Sequence, residues 1–182
     1  MNYATIKPRD IANGPGVRVS LFVSGCTHHC KGCFNQEAWD FDFGQPFTQE
    51  TIDYILRELS PGFVRGLTLL GGEPFEPENQ PTIVELLRQI KTNYPEKTIW
   101  AFSGYLFDRD IWPGKLGDPA ITREYISYLD VLVDGPFVES KKNLSLRFRG
   151  SENQRLIDIQ KTLAAGEIVL WEDWQGETRG LK

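Results

Sequence analysis

The sequence contains few of the side chains that most often bind metals, and those few lie together. Its 182 residues include only three cysteines and two histidines, and all five fall within residues 26–33. An odd number of cysteines, with no secretory signal ahead of them, argues against a disulfide framework. This segment, called the cysteine loop below, is therefore the first candidate for a functional site.

Long apolar runs and an excess of positive charge are also absent. The longest uninterrupted apolar runs are only a few residues, whereas a membrane-spanning helix needs about 20. The first residues lack the charged-then-apolar pattern of an export signal. The formal net charge is -5, while binding to a nucleic-acid backbone requires a basic surface. We therefore expect a cytoplasmic protein that binds neither a membrane nor nucleic acid.

The spacing of the cysteines fits an iron–sulfur cluster. Cys26, Cys30 and Cys33 are separated by three and then by two residues, and thiolates at this spacing can hold three irons of a 4Fe-4S cube. The chain has no fourth cysteine, so one iron would remain open to bind another molecule. A zinc site of three cysteines and one histidine, either His28 or His29, is the alternative. Against zinc, structural sites usually draw their ligands from two separated pairs, and a histidine between two ligands would need a very tight loop.

Strand-like and helix-like segments alternate along the chain. Apolar runs predict strands at residues 17–24, 66–70, 98–102, 131–133 and 167–171. Apolar residues at helical spacing predict helices at residues 48–59, 81–94, 122–129 and 154–165. This alternation predicts parallel β-α units with right-handed crossovers. We expect one domain over residues 1–171 and a loosely ordered polar tail over residues 172–182.

Four unusual loops follow predicted strands. The cysteine loop follows the first strand, and the others are residues 71–74 (Gly-Gly-Glu-Pro), 103–105 (Ser-Gly-Tyr) and 134–136 (Asp-Gly-Pro). Because the carboxyl ends of parallel strands lie at one edge of a sheet, we expect the four loops to lie together. In residues 71–74 the two glycines would let a ligand approach the backbone, and Glu73 offers an anion to an ammonium group. A simple turn is the alternative.

Three other features each allow two roles. Arg18 could bind a carboxylate or a phosphate, or it could be a surface arginine. Asp134 could bind a cation or a ligand hydroxyl, or it could cap a turn. Residues 149–155 are rich in hydrogen-bonding groups. They could contact a partner, or Ser151 or Asn153 could cap the helix that follows.

Several of these stretches together resemble a known family. The cysteine spacing and the Gly-Gly-Glu-Pro loop resemble those of the radical S-adenosylmethionine enzymes. Other stretches are similar to the activating proteins of anaerobic ribonucleotide reductase: residues 13–18 (Asn-Gly-Pro-Gly-Val-Arg), 103–105, 131–137 (Val-Leu-Val-Asp-Gly-Pro-Phe) and 149–154 (Arg-Gly-Ser-Glu-Asn-Gln). The resemblance extends over about residues 1–171.

This resemblance implies a fold, two cofactors and a site. The fold would be a partial, laterally open α/β barrel of the (β/α)6 type. The three cysteines would hold one 4Fe-4S cluster, and its open iron would bind the amino and carboxylate groups of S-adenosylmethionine. Gly32 and Phe34 would lie near this cofactor, and Gly71, Gly72 and Glu73 would approach its methionine amino group.

The resemblance also implies an activity. With one electron from the reduced cluster, S-adenosylmethionine would be cleaved to methionine and a 5'-deoxyadenosyl radical. That radical would take a hydrogen atom from a backbone glycine of the reductase's large catalytic subunit. The electron would come from a low-potential donor such as flavodoxin. The alternatives are an activase of another glycyl radical enzyme, of the pyruvate formate-lyase type, and a zinc-binding interaction module; residues 149–154 favour the reductase.

Overall fold

The computed structural model describes residues 1–172, which are built around a mixed β-sheet. Within these residues the strands are β1 Asn2–Asp10, β2 Val17–Val23, β3 Gln45–Pro46, β4 Val64–Gly71, β5 Thr98–Phe102, β6 Val131–Asp134 and β7 Arg155–Asp158. The α-helices are α1 Gln49–Leu59, α2 Gln80–Asn93, α3 Pro119–Tyr128 and α4 Ile159–Ala165. The strand order across the sheet is β3-β1-β2-β4-β5-β6-β7. None of the helices in this part of the chain has the length and apolar character needed to cross a membrane.

The centre of the sheet is parallel, as the alternating pattern predicted. Strands β2, β4, β5 and β6 pair as parallel neighbours. Helices α1, α2 and α3 form the connections between them, as parallel pairing requires. The main core lies where these helices pack on the sheet, with Leu21, Leu67 and Leu87 fully buried. The four parallel strands therefore end at one edge, called the carboxyl edge below, and the four predicted loops follow them there.

The outer strands run antiparallel, which the alternating sequence pattern did not predict. Strand β1 pairs antiparallel with β2 and with β3, and β7 pairs antiparallel with β6. A short loop suffices to join antiparallel neighbours such as β1 and β2, whereas parallel neighbours need a crossover. Among the described strands no pairing joins β3 to β7, so the sheet is open. The α/β class is confirmed, and the parallel part comprises four strands where a (β/α)6 barrel has six.

The C-terminal part of the fold differs from its prediction. The helix predicted over residues 154–165 is wrong in its first half, because β7 occupies Arg155–Asp158 and α4 begins only at Ile159. The Asp158 side chain caps α4 by accepting a hydrogen bond from the Lys161 amide. The strand predicted over residues 167–171 is reduced to one isolated bridge between Leu170 and Ile157. The predicted tail, beyond Glu172, lies outside the described residues.

Arg18 belongs to the core at the opposite edge of the sheet, so neither of its predicted roles is correct. It is 0% exposed, and burial lowers the pKa of its guanidinium to about 9. It donates hydrogen bonds to the Thr68 hydroxyl (2.7 Å), to the Leu67 carbonyl (2.7 Å) and to the Thr98 carbonyl (2.9 Å). Arg18 thus ties β2 to β4 and β5. Gly14 covers it closely with a φ of +128°, where a Cβ atom would lie 2.8 Å from the arginine side chain.

Candidate active site

The cysteine loop begins where β2 ends, at the carboxyl edge. Cys26 is buried, while Cys30 and Cys33 are half-buried, and all three are free thiols. The Cys33 amide donates to the Cys30 carbonyl (3.1 Å), and Gly32 between them has a φ of +77°. The Cys33 sulfur accepts a hydrogen bond from the Asn35 amide (3.4 Å). The loop therefore makes a tight turn between its second and third cysteines and presents three thiols from one short segment.

These thiols fit a four-iron cluster better than a single zinc ion. Within residues 1–172 no three Cys, His, Asp or Glu side chains are grouped around one point that could hold a metal ion. A 4Fe-4S cube does not need such a point, because each cysteine binds a different iron. Both histidines have other contacts: His28 Nε2 lies 3.0 Å from Glu73 Oε2, and the His29 ring packs on Trp39 with centroids 4.5 Å apart. The contacts of both histidines are thus with Glu73 and Trp39.

The protein environment keeps two of the thiols protonated when no metal is bound. Burial raises the pKa of the Cys26 thiol to about 12, and the nearby carboxylates of Glu73 and Glu76 add to the rise. Burial also raises the pKa of Cys30, although a hydrogen bond from the backbone of Phe137 lowers it in part. Metal ligands must be thiolates, so iron binding would release these protons.

The glycine pair of residues 71–74 is required by close packing against the cysteine loop. The Gly72 amide donates to the Val23 carbonyl (2.7 Å), and the Glu73 amide donates to the Gly25 carbonyl (2.8 Å). A Cβ atom at position 72 would lie 2.5 Å from that Gly25 oxygen, and Gly71 has a φ of +108°. The segment is therefore more than a simple turn, since it joins the end of β4 to the start of the cysteine loop.

The carboxylate of Glu73 points inward and joins three loops. It is 1% exposed. Its Oε1 accepts hydrogen bonds from the Phe75 amide (2.8 Å) and the Ser103 hydroxyl (3.0 Å). Its Oε2 accepts one from the Gly104 amide (2.7 Å) and contacts His28. Burial alone would lower the pKa of His28, but the hydrogen bond to Glu73 and the charges nearby outweigh it and raise that pKa.

A second buried carboxylate, Glu76, was not predicted as a site residue. It is 2% exposed, and its Oε1 accepts hydrogen bonds from the Thr27 amide (2.8 Å) and the Thr27 hydroxyl (2.6 Å). The Tyr105 hydroxyl lies 3.5 Å from its Oε2. Glu76 therefore binds the cysteine loop directly, one residue after Cys26.

An open cavity of about 340 Å³ lies at the carboxyl edge beside the contact between Glu73 and His28. It is lined by residues from the cysteine loop and from the loops after β5 and β6: His28, Gly104, Tyr105, Leu106, Arg109, Asp110 and Pro136. Both signs of charge line it, since Arg109 and Asp110 are neighbours. A small polar molecule in this cavity would contact His28 of the cysteine loop, whose ring separates it from the Glu73 carboxylate.

Two other predicted side chains have different surroundings. Phe34 is 90% exposed, so its ring stands in solvent beside the cysteine loop. Asp134 is fully buried and accepts hydrogen bonds from the Phe107 amide (2.8 Å) and from Arg155 Nε (2.9 Å). Arg155 also donates to Asp108 (2.7 Å). The Asp134 carboxylate is thus bound to a guanidinium group of the chain itself.

Residues 149–154 fold onto the loop after β6 and cap no helix. The Ser151 hydroxyl accepts a hydrogen bond from the Val138 amide (3.2 Å). The Gln154 side chain donates to the Gly135 carbonyl (3.1 Å), and the Asn153 side chain donates to the carbonyl of the next residue, at position 136 (2.8 Å). The capping role predicted for Ser151 or Asn153 is wrong, because Asp158 caps α4. This segment instead holds the fourth loop of the carboxyl edge in place.

Comparisons with known proteins identify the family. A family model described as a 4Fe-4S single cluster domain matches residues 12–157, which supports an iron–sulfur cluster in preference to zinc. An anaerobic ribonucleoside-triphosphate reductase-activating protein of Vibrio cholerae is 42% identical over 156 residues, covering 85% of this chain and 96% of the relative. Proteins of the same name from Escherichia coli and Pasteurella multocida are 42% and 40% identical, covering 85% of this chain and 96% and 95% of their own. With this identity over most of both chains, the protein belongs to the family of anaerobic ribonucleoside-triphosphate reductase-activating proteins.

Proposed function

We propose that this chain activates an anaerobic ribonucleotide reductase by generating a glycyl radical on it. A 4Fe-4S cluster held by the three cysteines would supply the electron that cleaves S-adenosylmethionine. The 5'-deoxyadenosyl radical so formed would take a hydrogen atom from a backbone glycine of the reductase's large catalytic subunit and leave as 5'-deoxyadenosine. The names of the relatives support the reductase as partner over an enzyme of the pyruvate formate-lyase type.

One observation carries the proposal: the thiols and the glycine-rich loop share the carboxyl edge. The hydrogen bond from the Glu73 amide to the Gly25 carbonyl (2.8 Å) joins the two loops directly. Loops at the carboxyl ends of parallel strands are where α/β proteins bind ligands. A molecule held by residues 71–73 would therefore lie next to the thiols.

The chain's own residues would bind and orient the cofactor. Cys26, Cys30 and Cys33 are the cluster ligands, and we assign Gly32, within the cysteine loop, and Phe34, directly after it, to positions near S-adenosylmethionine. We assign Gly71, Gly72 and Glu73 to the methionine amino group of S-adenosylmethionine. Because the Glu73 carboxylate already accepts hydrogen bonds within the chain, an ammonium group would share Oε2 with His28 or replace it there.

The open sheet suits a substrate that is itself a protein. We propose that it represents the laterally open barrel of the radical S-adenosylmethionine class. In the described residues the sheet edges do not meet, so a loop of the reductase could enter from the side. A reactive carbon radical must be kept from water, and the incoming loop would help to close the cavity around it. The required electron would come from a low-potential donor such as flavodoxin.

The test is an anaerobic reconstitution with iron and sulfide, followed by dithionite, S-adenosylmethionine and the reductase subunit. We expect 5'-deoxyadenosine and a glycyl radical signal on the reductase in electron paramagnetic resonance spectra. Cys30→Ala should lose the cluster and keep the fold, whereas Glu73→Gln should keep the cluster and bind S-adenosylmethionine more weakly. His29→Ala is the control: it should retain wild-type iron, since its ring packs on Trp39.

Each contradictory outcome removes a different part of the proposal. Cleavage of S-adenosylmethionine with no radical on the reductase would reject the partner. A colourless protein that binds zinc and cleaves nothing would reject the cluster and the activity together. Full cleavage activity in Cys30→Ala would reject the ligand set.

A further inference from the structure

Glu76 is a buried carboxylate that the proposed chemistry does not use. It lies three residues after Glu73, but its hydrogen bonds go to one residue of the cysteine loop, Thr27. The Thr27 amide donates at 2.8 Å and the Thr27 hydroxyl at 2.6 Å, both to Oε1. The third neighbour, the Tyr105 hydroxyl, is at the limit of hydrogen-bond length at 3.5 Å. Both short hydrogen bonds of the Glu76 carboxylate therefore come from Thr27, the residue that follows Cys26.

The main chain of Glu76 is fixed by the turn that leads into α2. Its amide donates to the Glu73 carbonyl (3.1 Å), and its carbonyl accepts from the Asn79 amide (2.9 Å) and the Gln80 amide (3.2 Å). The carboxylate is therefore presented by a rigid element and not by a loose side chain. Because a buried charge is costly unless it accepts hydrogen bonds, Glu76 and Thr27 hold each other in place.

The Thr27 contact completes a line of fixed backbone amides at the start of the cysteine loop. The Gly25 amide donates to the Ala38 carbonyl (2.9 Å), and the Cys26 amide donates to the Trp39 carbonyl (3.1 Å). The Thr27 amide continues this line with its bond to Glu76. The backbone is thereby fixed at three consecutive residues, 25–27, around the Cys26 thiol. Cys26 is also more buried than Cys30 and Cys33.

We propose that Glu76 is a positioning residue that fixes the Cys26 thiol for the cluster by binding Thr27. This inference rests on the proposed function, since it concerns the cluster assigned to the three cysteines. Glu76 itself touches neither cluster nor cofactor in this role. By binding Thr27, Glu76 fixes the position of the neighbouring Cys26 thiol and so slows the loss of iron from that thiol.

Three variants separate this role from a general contribution to folding. Thr27→Val nearly keeps the shape of the side chain and removes its hydroxyl. Thr27→Ser keeps the hydroxyl and is the matched control. Glu76→Ala removes the acceptor of both bonds. The first measurement needs no cofactor: it is the hydrogen exchange of the Thr27 amide in the metal-free chain. Because Thr27 is exposed, we expect this amide to exchange about tenfold faster in Glu76→Ala, the low end for a lost hydrogen bond to a charged group.

The second measurement is the rate at which a chelator removes iron from the reconstituted protein. Thr27→Val should release iron about tenfold faster than wild type, again the low end for one hydrogen bond to a charged group, and Thr27→Ser should release it at close to the wild-type rate. A purely structural role would lower the unfolding midpoint and leave iron release unchanged, which would overturn the inference. Equal rates for the valine and serine variants would also overturn it. If the wild-type chain formed no cluster, the proposed function would fail and the inference with it; if it formed one that all variants held equally, the inference alone would fail.

Discussion

The ion pair between Arg155 and Asp134 allows a quantitative prediction about stability. Asp134 is 0% exposed, and it accepts two hydrogen bonds from the Arg155 guanidinium and one from the Phe107 amide. Arg155→Met would leave the buried carboxylate with the amide alone. Removing one partner of a buried pair costs about 3–5 kcal/mol. Since the Arg155 side chain is 29% exposed, water can partly replace it. We therefore expect the free energy of unfolding to fall by about 3 kcal/mol, the lower end of this range.

The assay is urea unfolding of the metal-free chain, so that cluster content does not enter. With a denaturant dependence of about 2 kcal/mol per molar urea, the midpoint should fall by about 1.5 M. Arg155→Met combined with Asp134→Asn should recover much of the loss, because no charge is then left buried. Arg88→Met is the control: it breaks an ion pair with Glu124 between two solvent-accessible side chains, so its midpoint should change far less. An Arg155→Met midpoint as close to wild type as that of Arg88→Met would refute the reasoning.

Two further predictions concern acid stability and the glycine pair. Burial alone would raise the pKa of Asp10, but its hydrogen bonds, the one from the Ala12 amide foremost, outweigh burial and lower it. The stability that this carboxylate contributes is therefore present above its unfolded pKa, about 3.9, and is lost as the pH falls through the lower folded value. Asp10→Asn should flatten the acid side of a plot of urea midpoint against pH, and an unchanged slope below about pH 4 would contradict this. Gly72→Ala places a Cβ 2.5 Å from the Gly25 carbonyl oxygen; it should cost about 1–3 kcal/mol and lower the iron bound on reconstitution, whereas Gly62→Ala, with nothing within 4 Å, should do neither.

The central strands and their helices could be predicted because their signals are local. Apolar runs such as that of β4 stand between turn residues, and helices such as α2 carry apolar residues at helical spacing. Strand β7 could not be predicted in the same way. Its four residues continue into α4, and what makes them a strand is pairing with β6 and the bond from Arg155 to Asp134. Both partners are about 20 residues or more away in sequence, so no local pattern reports them.

The candidate site divides in a similar way. The cysteine spacing identifies the thiols, and the position of Glu73 after a buried strand identifies the glycine-rich loop. Glu76 gives no such signal, because its partner Thr27 is 49 positions away. The inward turn of the Glu73 carboxylate was equally hidden, since its acceptor bonds depend on Ser103 and Gly104 from the loop after β5. Sequence patterns locate chemically active segments, while the bonds between those segments emerge only from the fold.

The exposed ring of Phe34 has a consequence for any molecule that meets the carboxyl edge. At 90% exposure it keeps nearly all of its apolar surface in contact with water. Fully covering such a side chain is favourable by about 1.5–3 kcal/mol, which corresponds to roughly a 10- to 150-fold lower dissociation constant. A partner protein with an apolar patch that covers Phe34 would therefore remain bound longer than one that presents only charged groups there. This preference would arise at the residue next to Cys33.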